Sequence, residues 1–512
     1  MTSNRRWWAL AALVLSLLTF GFDATILNVA LPILAVALNA DTAQLQWMVD
    51  AYVLVLAGLL LPAGALGDRF GRKAFLLAGL ALFGGASVLA SFAGDAGTLI
   101  AARALMGVGA AILTPVTAAV IPTLFPREER AKAIAFLAIG LGAGVPLGPI
   151  IGGYLLNHFW WGSVFLVNVP VVLLAIVAVA ALVPESKDPT PRRIDVVGAL
   201  LSTTGLVAFV YGVIAAPERG WTSLPVVVAT TAGVVLLAAF IAWERRVADP
   251  MIDLRLFGRP RFLWGSIAGT VASFGMFGLF FVLPQYLQAV RGIDALGTGV
   301  RLLPIMAGLI VGARVSERLV TRFGSRGPIA AGLWLIAAGL GTGALTGADS
   351  GYGFVAAWLS VTGLGIGLAL APAMDAVLGE LPPERSGSGA ALTMALRQVG
   401  AALGVALLGS LASAVYTGQL DRDPVLPPEA AEASRDSVAG AVAVATRLGD
   451  AALATDARLA FASAMSVVLL ACAVAAAAGA LGVQAGLRRP KPEAADRVDV
   501  APVRGRLTES TR

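Results

Sequence analysis

The chain has one cysteine, one histidine and four lysines among 512 residues. A lone Cys472 cannot close an internal disulfide, and thiolate metal centres need several such ligands. His158 alone excludes a histidine relay or a histidine metal cluster. No Gly-x-x-x-x-Gly-Lys-Ser/Thr string occurs, so the phosphate cradle of an ATP-driven pump is missing. No nucleophile–base–acid set stands out either, which argues against a membrane hydrolase or transferase. No cofactor is expected. Charge is also scarce: 13% of residues are Asp, Glu, Lys or Arg, about half the usual share of a soluble domain.

What is present is hydrocarbon. Hydrophobic residues make up 58% of the chain, and mean hydropathy is +0.84. A spanning helix needs about 20 apolar residues. Hydropathy predicts fourteen spans, at 8–37, 43–66, 74–93, 98–122, 131–155, 161–183, 196–216, 223–243, 262–289, 297–320, 327–346, 353–378, 387–416 and 458–483. The run after Arg5 and Arg6 is too long for a signal peptide and no cleavage site follows it, so no cleavable leader is expected.

The net charge of +6 is a record of topology. Basic residues collect in alternate loops, at Arg69/Arg72/Lys73, Arg127/Arg130/Lys132, Lys187/Arg192/Arg193, Arg245 to Arg261, Arg318/Arg322/Arg326 and from Arg488 onward. The intervening short loops carry Arg219 and Arg291 beside acids such as Asp41, Asp95, Asp294 and Asp349. The positive-inside rule therefore puts both termini in the cytoplasm, and nucleic acid is not an expected partner. Arginine in place of lysine is the bias of a GC-rich bacterial genome, so a bacterial inner membrane is expected.

One loop repeats. Residues 64–80 read GALGDRFGRKAFLLAGL, and residues 317–333 read ERLVTRFGSRGPIAAGL. A duplicated charged turn in a polytopic chain points to two related units, as in transporters. The expected division is a six-helix half at 1–183, a linker with an inserted helix pair at 184–261, and a second half at 262–483. The second half carries the outer loop 417–457, and a disordered cytoplasmic tail covers 484–512.

Four strings then stand in order on their spans. They are Phe22-Asp23-Ala24-Thr25-Ile26-Leu27-Asn28-Val29-Ala30-Leu31-Pro32, the charged turn Gly64 to Lys73, Arg103-Ala-Leu-Met-Gly107-Val-Gly109-Ala110-Ala111, and Gly144-Val-Pro-Leu-Gly148-Pro149-Ile-Ile-Gly152-Gly153. With these strings the chain resembles the major facilitator superfamily, and within it the fourteen-helix drug:proton antiporters of the EmrB/QacA type. The resemblance covers essentially residues 7–485. It implies an all-α bundle of 14 transmembrane helices, two six-helix halves plus an inserted pair. It also implies export of amphiphilic or cationic drugs and antibiotics by alternating access, driven by the proton gradient.

The residues can be weighed for such work. Asp23 lies mid-span, where a lone charge costs roughly 2.5–3.5 kcal/mol on insertion scales and usually faces a cavity or a partner. Arg103 is its candidate partner, so the pair is either the proton-coupling site or a permanent structural ion pair. Asp50 is a second candidate acid, either within the proton path and substrate cavity or at the outer mouth. Trp47, Phe277, Phe281, Gln285 and Arg397 are further cavity candidates by family position. Gly67, Asp68, Arg69, Gly71 and Arg72 form either a cytoplasmic latch or a solvated turn. Gly140, Gly144, Gly148 and Gly152 share one helix face, and with Pro149 and Gly153 they suit either a surface on which halves rock or ordinary close packing.

The sequence departs from relatives that carry acids in the tenth and thirteenth spans, because Arg301, Arg314, Glu317 and Arg397 stand there. Dicationic antiseptics are therefore poor candidate substrates, while monocations, zwitterions and neutral antibiotics fit. Small lipophilic substrates, protons and membrane lipid are the expected partners, and a monomer is expected. The alternatives are a dedicated exporter of one self-made antibiotic or siderophore and, in another class, a channel, uniporter or non-transporting receptor.

Overall fold

The computed structural model describes residues 3–187, 195–247, 250, 254–380, 386–420 and 428–487. Outside them lie the tail expected to be disordered from residue 488 on, residues 188–194 of the linker and 421–427 of the outer loop. So do the side chain of Asp68 and the surroundings of Gly144.

Every regular element among the described residues is helical. The chain opens with α1 (Ser3–Ala37), α2 (Thr42–Phe70), α3 (Arg72–Ser91), α4 (Ala96–Leu124) and α5 (Arg127–His158). A short α6 (Ser163–Leu166) and α7 (Asn168–Leu182) share one span, followed by the pair α8 (Val196–Arg219) and α9 (Leu224–Glu244). Then come α10 (Pro260–Gln285) with a π-turn at Tyr286–Val290, α11 (Ala295–Arg301), α12 (Leu303–Phe323), α13 (Arg326–Gly343) and α14 (Tyr352–Leu378). The chain continues with α15 (Ser386–Leu420), α16 (Pro428–Asp436), α17 (Val438–Leu448) and α18 (Ala451–Gly486).

Twelve stretches among the described residues are long and apolar enough to cross a membrane. The chain is an all-α, multi-pass membrane protein. The expected spans 131–155 and 327–346 fall on α5 and α13, which are helical but outside that twelve. After five charges between Arg127 and Lys132, α5 runs uncharged to its last residue, His158. α13 has 18 residues, five of them glycine. At 1.5 Å per residue it reaches about 27 Å, just short of the roughly 30 Å hydrocarbon core.

Proline and glycine place the breaks. Val167 interrupts one span shortly before Pro170, and Leu302 interrupts another just before Pro304. Pro284 removes a backbone donor two residues before the π-turn,. The repeated loop has the same backbone device in both copies. Gly71 ends α2 with φ +115°, and Gly324 ends α12 with φ +70°. Each N–H closes on a carbonyl four residues back, on Gly67 and Val320.

Packing sorts the helices into two groups. α1 to α7 pack among themselves through α1 on α5, α2 on α4 and α3 on α4 and α7; α10 to α15 and α18 pack through α12 and α13 on α14, and α10 and α18 on α15. α8 bridges both groups: its Thr203 lies against Gly58 of α2, and its Val213 carbonyl accepts from Ser410 of α15. α9 rests on α8, with Trp243 donating to Asp195 at 2.9 Å.

At Gly71 a Cβ would lie 2.8 Å from a Glu185 carboxylate oxygen, on a backbone that side chains rarely adopt. Gly71→Ala is expected to lower stability by about 1–3 kcal/mol, read as an earlier thermal transition of the purified protein.

Candidate functional site

The centre of the amino-terminal group holds an ion pair sealed from solvent. Asp23 on α1 is fully buried, and Arg103 on α4 is 2% exposed. Arg103 Nη1 donates to Asp23 Oδ2 at 2.6 Å, while its Nε donates to the Met48 carbonyl at 3.0 Å. The guanidinium lies 4.3 Å from the centre of the Tyr52 ring, a cation–π distance. Asn168 Nδ2 reaches the other Asp23 oxygen at 3.4 Å. The break at Val167 brings Asn168 there as the first residue of α7. Four helices therefore converge on one ion pair.

The sequence places Gly107 and Ala110 one and two turns from Arg103, and the structure explains why. A Cβ on Gly107 would sit 2.6 Å from the Tyr52 carbonyl. Small residues there let α2 lie against α4 and bring Tyr52 beneath the guanidinium.

A second assembly closes the end of the bundle away from the chain termini. Gly148 and Gly152 of α5 lie on α1, where Cβ atoms would meet the Phe22 carbonyl at 2.8 Å and Ile26 Cγ1 at 2.5 Å. Gly153 instead faces α11, 2.5 Å from the Ala295 carbonyl by the same measure, and Gly299 of α11 lies against the carbonyl of Pro149. Asn157 Nδ2 donates to Asp294 Oδ2 at 2.5 Å. Asp294 Oδ1 caps α11 through the Gly297 N–H at 2.9 Å. Beside them the π-turn aims Gln288, which donates to the Val29 carbonyl of α1 at 2.8 Å. The contacts of Gly153, Gly299, Asn157 and Gln288 join the two packing groups.

The remaining candidates are scattered. Asp50 is fully buried, and neither carboxylate oxygen has a hydrogen-bond partner among the described residues. Trp47 turns to Tyr211 of α8, ring centres 6.3 Å apart. Phe277 lines a cleft with Arg103. Phe281 and Gln285 are buried on the same helix, and Gln285 donates to the Phe281 carbonyl at 2.8 Å. Arg397 Nε donates to Ser273 Oγ at 3.3 Å.

At the charged turn the carboxylate on α3 is Glu185. Its oxygens accept from the Lys73 and Ala74 N–H groups, both at 3.1 Å. The Arg72 N–H donates to the Ser186 carbonyl at 2.9 Å. Gly67 is buried against Val116 of α4, and Arg69 is exposed beside Phe70.

The sequence pattern of the Major Facilitator Superfamily matches residues 13–405. The chain belongs to that superfamily. As a facilitator it is a membrane transporter, and relatives agree along nearly its whole length. The multidrug efflux pump LfrA of Mycolicibacterium smegmatis is 38% identical over 490 residues, 94% of this chain and 97% of that protein. The tetracenomycin C resistance and export protein of Streptomyces glaucescens is 34% identical over 409 residues, 80% and 76%. In architecture, an inward-facing, unoccupied bacterial homolog of the human lysosomal transporter Spinster matches with a TM-score of 0.68. It shares 19% identity and covers 96% of this chain and 100% of that one. That likeness speaks to the facilitator fold alone.

Removing one partner of a buried pair leaves an uncompensated charge. Arg103→Met is expected to cost this facilitator about 3–5 kcal/mol, and Asp23→Asn combined with Arg103→Met to recover most of it. Thermal melts of the purified variants check both.

Proposed function

We propose that this chain is a proton-coupled drug exporter of a bacterial cell membrane, of the fourteen-span type, with both termini in the cytoplasm. Its substrates are amphiphilic or cationic drugs and antibiotics, taken from the cytoplasm or the inner leaflet. The observation that carries the reading is the buried Asp23–Arg103 pair. An acid held by an arginine can bind a proton only by weakening that pair, so protonation is tied to a structural change. The names of the relatives, a multidrug efflux pump and an antibiotic resistance and export protein, supply the substrate class.

Helices α1 to α7 and α10 to α18 would be the two halves, rocking about a central cavity. α5 and α13 complete the fourteen spans. The α5–α11 contact then serves as the outer gate, since the loop charges put the termini inside. The turn at Gly67–Arg72 acts as the cytoplasmic latch, with Asp68 as one member. Asp50 and Trp47 would contact substrate near the outer end of α2, and Phe277, Phe281, Gln285 and Arg397 from the other half. A membrane potential provides about 2.3 kcal/mol per charge per 100 mV. One net charge moved across about 150 mV therefore supports a gradient on the order of several hundredfold.

A second reading, a dedicated exporter of one antibiotic, is favoured by the relative named for tetracenomycin C. A susceptibility panel in an efflux-deficient host separates them: many raised resistances support the first, and a single one the second.

Substrate added to the purified protein is expected to release protons, and Asp23→Asn to abolish that release together with gradient-driven dye export. Normal uphill export by Asp23→Asn would sink the coupling.

A further inference from the structure

Beside the ion pair lies a cleft with about 10 Å³ of room, on the order of one water molecule. It sits between the two packing groups. Arg103, Tyr52 and Asn28 line it from α4, α2 and α1, Gln398 and Phe277 from α15 and α10. Tyr52 is 1% exposed, yet its hydroxyl has no hydrogen-bond partner among the described residues. A buried hydroxyl left unpaired is costly unless a water or another state satisfies it. Four polar side chains around a water-sized space are enough to hold one.

The pair cannot stay as it is when Asp23 binds a proton. An O–H bond then forms on the carboxyl group as the O–H bond of an incoming hydronium ion breaks and leaves water, and Arg103 keeps its charge. Its guanidinium remains buried with its anion gone. The chain offers few other anions nearby. α7 carries no charged residue, α10 only Arg261 at its far cytoplasmic end, α5 none between Lys132 and His158, and α15 carries the cation Arg397. On α2 the acids are Asp50 and, at the helix's opposite end, Asp68. The other polar side chains that line the cleft, Asn28, Tyr52 and Gln398, are neutral.

We infer that this cleft is a built water site and the second resting place of the Arg103 guanidinium, with Tyr52 and Gln398 as its positioning residues. When Asp23 is charged, Arg103 holds it inside the amino-terminal group. When Asp23 is protonated, Arg103 turns to the cleft, where the water, the Tyr52 hydroxyl and the Gln398 amide oxygen replace the lost carboxylate. Gln398 belongs to the other packing group, so the same movement makes a bond across the seam. Proton binding in one half is thereby reported to the other.

This inference rests on proton binding at Asp23, and the experiment separates the two. Substrate-evoked proton release is measured against pH for the unmodified protein, Asp23→Asn, Tyr52→Phe, Gln398→Leu and Gln398→Glu. Tyr52→Phe keeps the ring under the guanidinium and removes only the hydroxyl. Tyr52→Phe and Gln398→Leu each weaken the protonated state, so protonation should require more acid. The pH of half-maximal release should fall by about one unit in each, which corresponds to about a tenfold weaker proton affinity. Gln398→Glu restores an acceptor for Arg103 and should not show that fall. If Tyr52→Phe and Gln398→Leu both keep the unmodified profile while Asp23→Asn releases no protons, the second resting place is overturned and the proton site stands. If Asp23→Asn releases protons as before, the proton site falls and the inference with it.

Discussion

The bundle is organised around two opposite charges that hydrocarbon would not tolerate singly. Asp23 and Arg103 sit 80 residues apart, and the packing of α1 against α4 brings them within 2.6 Å. That distance fixes much else. The Met48 carbonyl and the Tyr52 ring must lie beside the guanidinium, so α2 is held close to α4 at Gly107. The second carboxylate oxygen calls in Asn168, and with it the break between α6 and α7. An ion pair of this kind is poor evidence for stability, because matched apolar residues do as well or better. Under the proposed function, its presence in a chain with so few charges follows from the work done by changing it.

The far end of the bundle obeys a different constraint, the closeness of backbones. α5 offers glycines to α1 on one side and to α11 on the other, and neither contact leaves room for a Cβ. Such a surface has no interlocking side chains to hold it, so polar bonds set its register. Asn157 with Asp294 and Gln288 with the Val29 carbonyl do this at two points. Asp294 also shows why acids collect in these loops. Asp41, Asp95, Asp294 and Asp450 each cap a helix that starts at this end. At Asp95 the bonds from the Thr98 hydroxyl and N–H hold the exposed carboxyl below its ordinary range. The charge asymmetry between loops thus combines a membrane rule with helix capping, since a carboxylate complements the partial positive charge of a helix start.

Periodicity and motif carried most of this into the sequence. Long apolar runs marked the helices, the repeated turn marked two copies of one device, and a charged residue in an apolar run marked Asp23 and Arg103. The residues that remained hidden have no such contrast. Asn168, Tyr52 and Gln288 are uncharged and sit in ordinary apolar runs, and their importance comes from partners 51 to 259 positions away. Glu185 lies in the polar linker with nothing to mark it out, yet it caps α3 from 111 or 112 residues downstream. Composition counts charges well, but tertiary geometry decides which neutral groups complete them.

The two buried acids of the first pair of helices now separate on their surroundings. Asp23 is enclosed by a guanidinium and an amide that remain within one packing group, so its charge is balanced whatever the other group does. Asp50 has no such company, and neither oxygen is bonded among the described residues. It lies one turn from Gln46, which packs on Gly409 of α15, so its face of α2 is turned to the seam between groups. A charge there is uncompensated while the seam is shut and becomes tolerable once water or a cationic substrate enters. Under the proposed function, that geometry gives the proton to Asp23 and the substrate to Asp50. Competition between the two would pass through Arg103 and α2 and would not require a shared carboxylate.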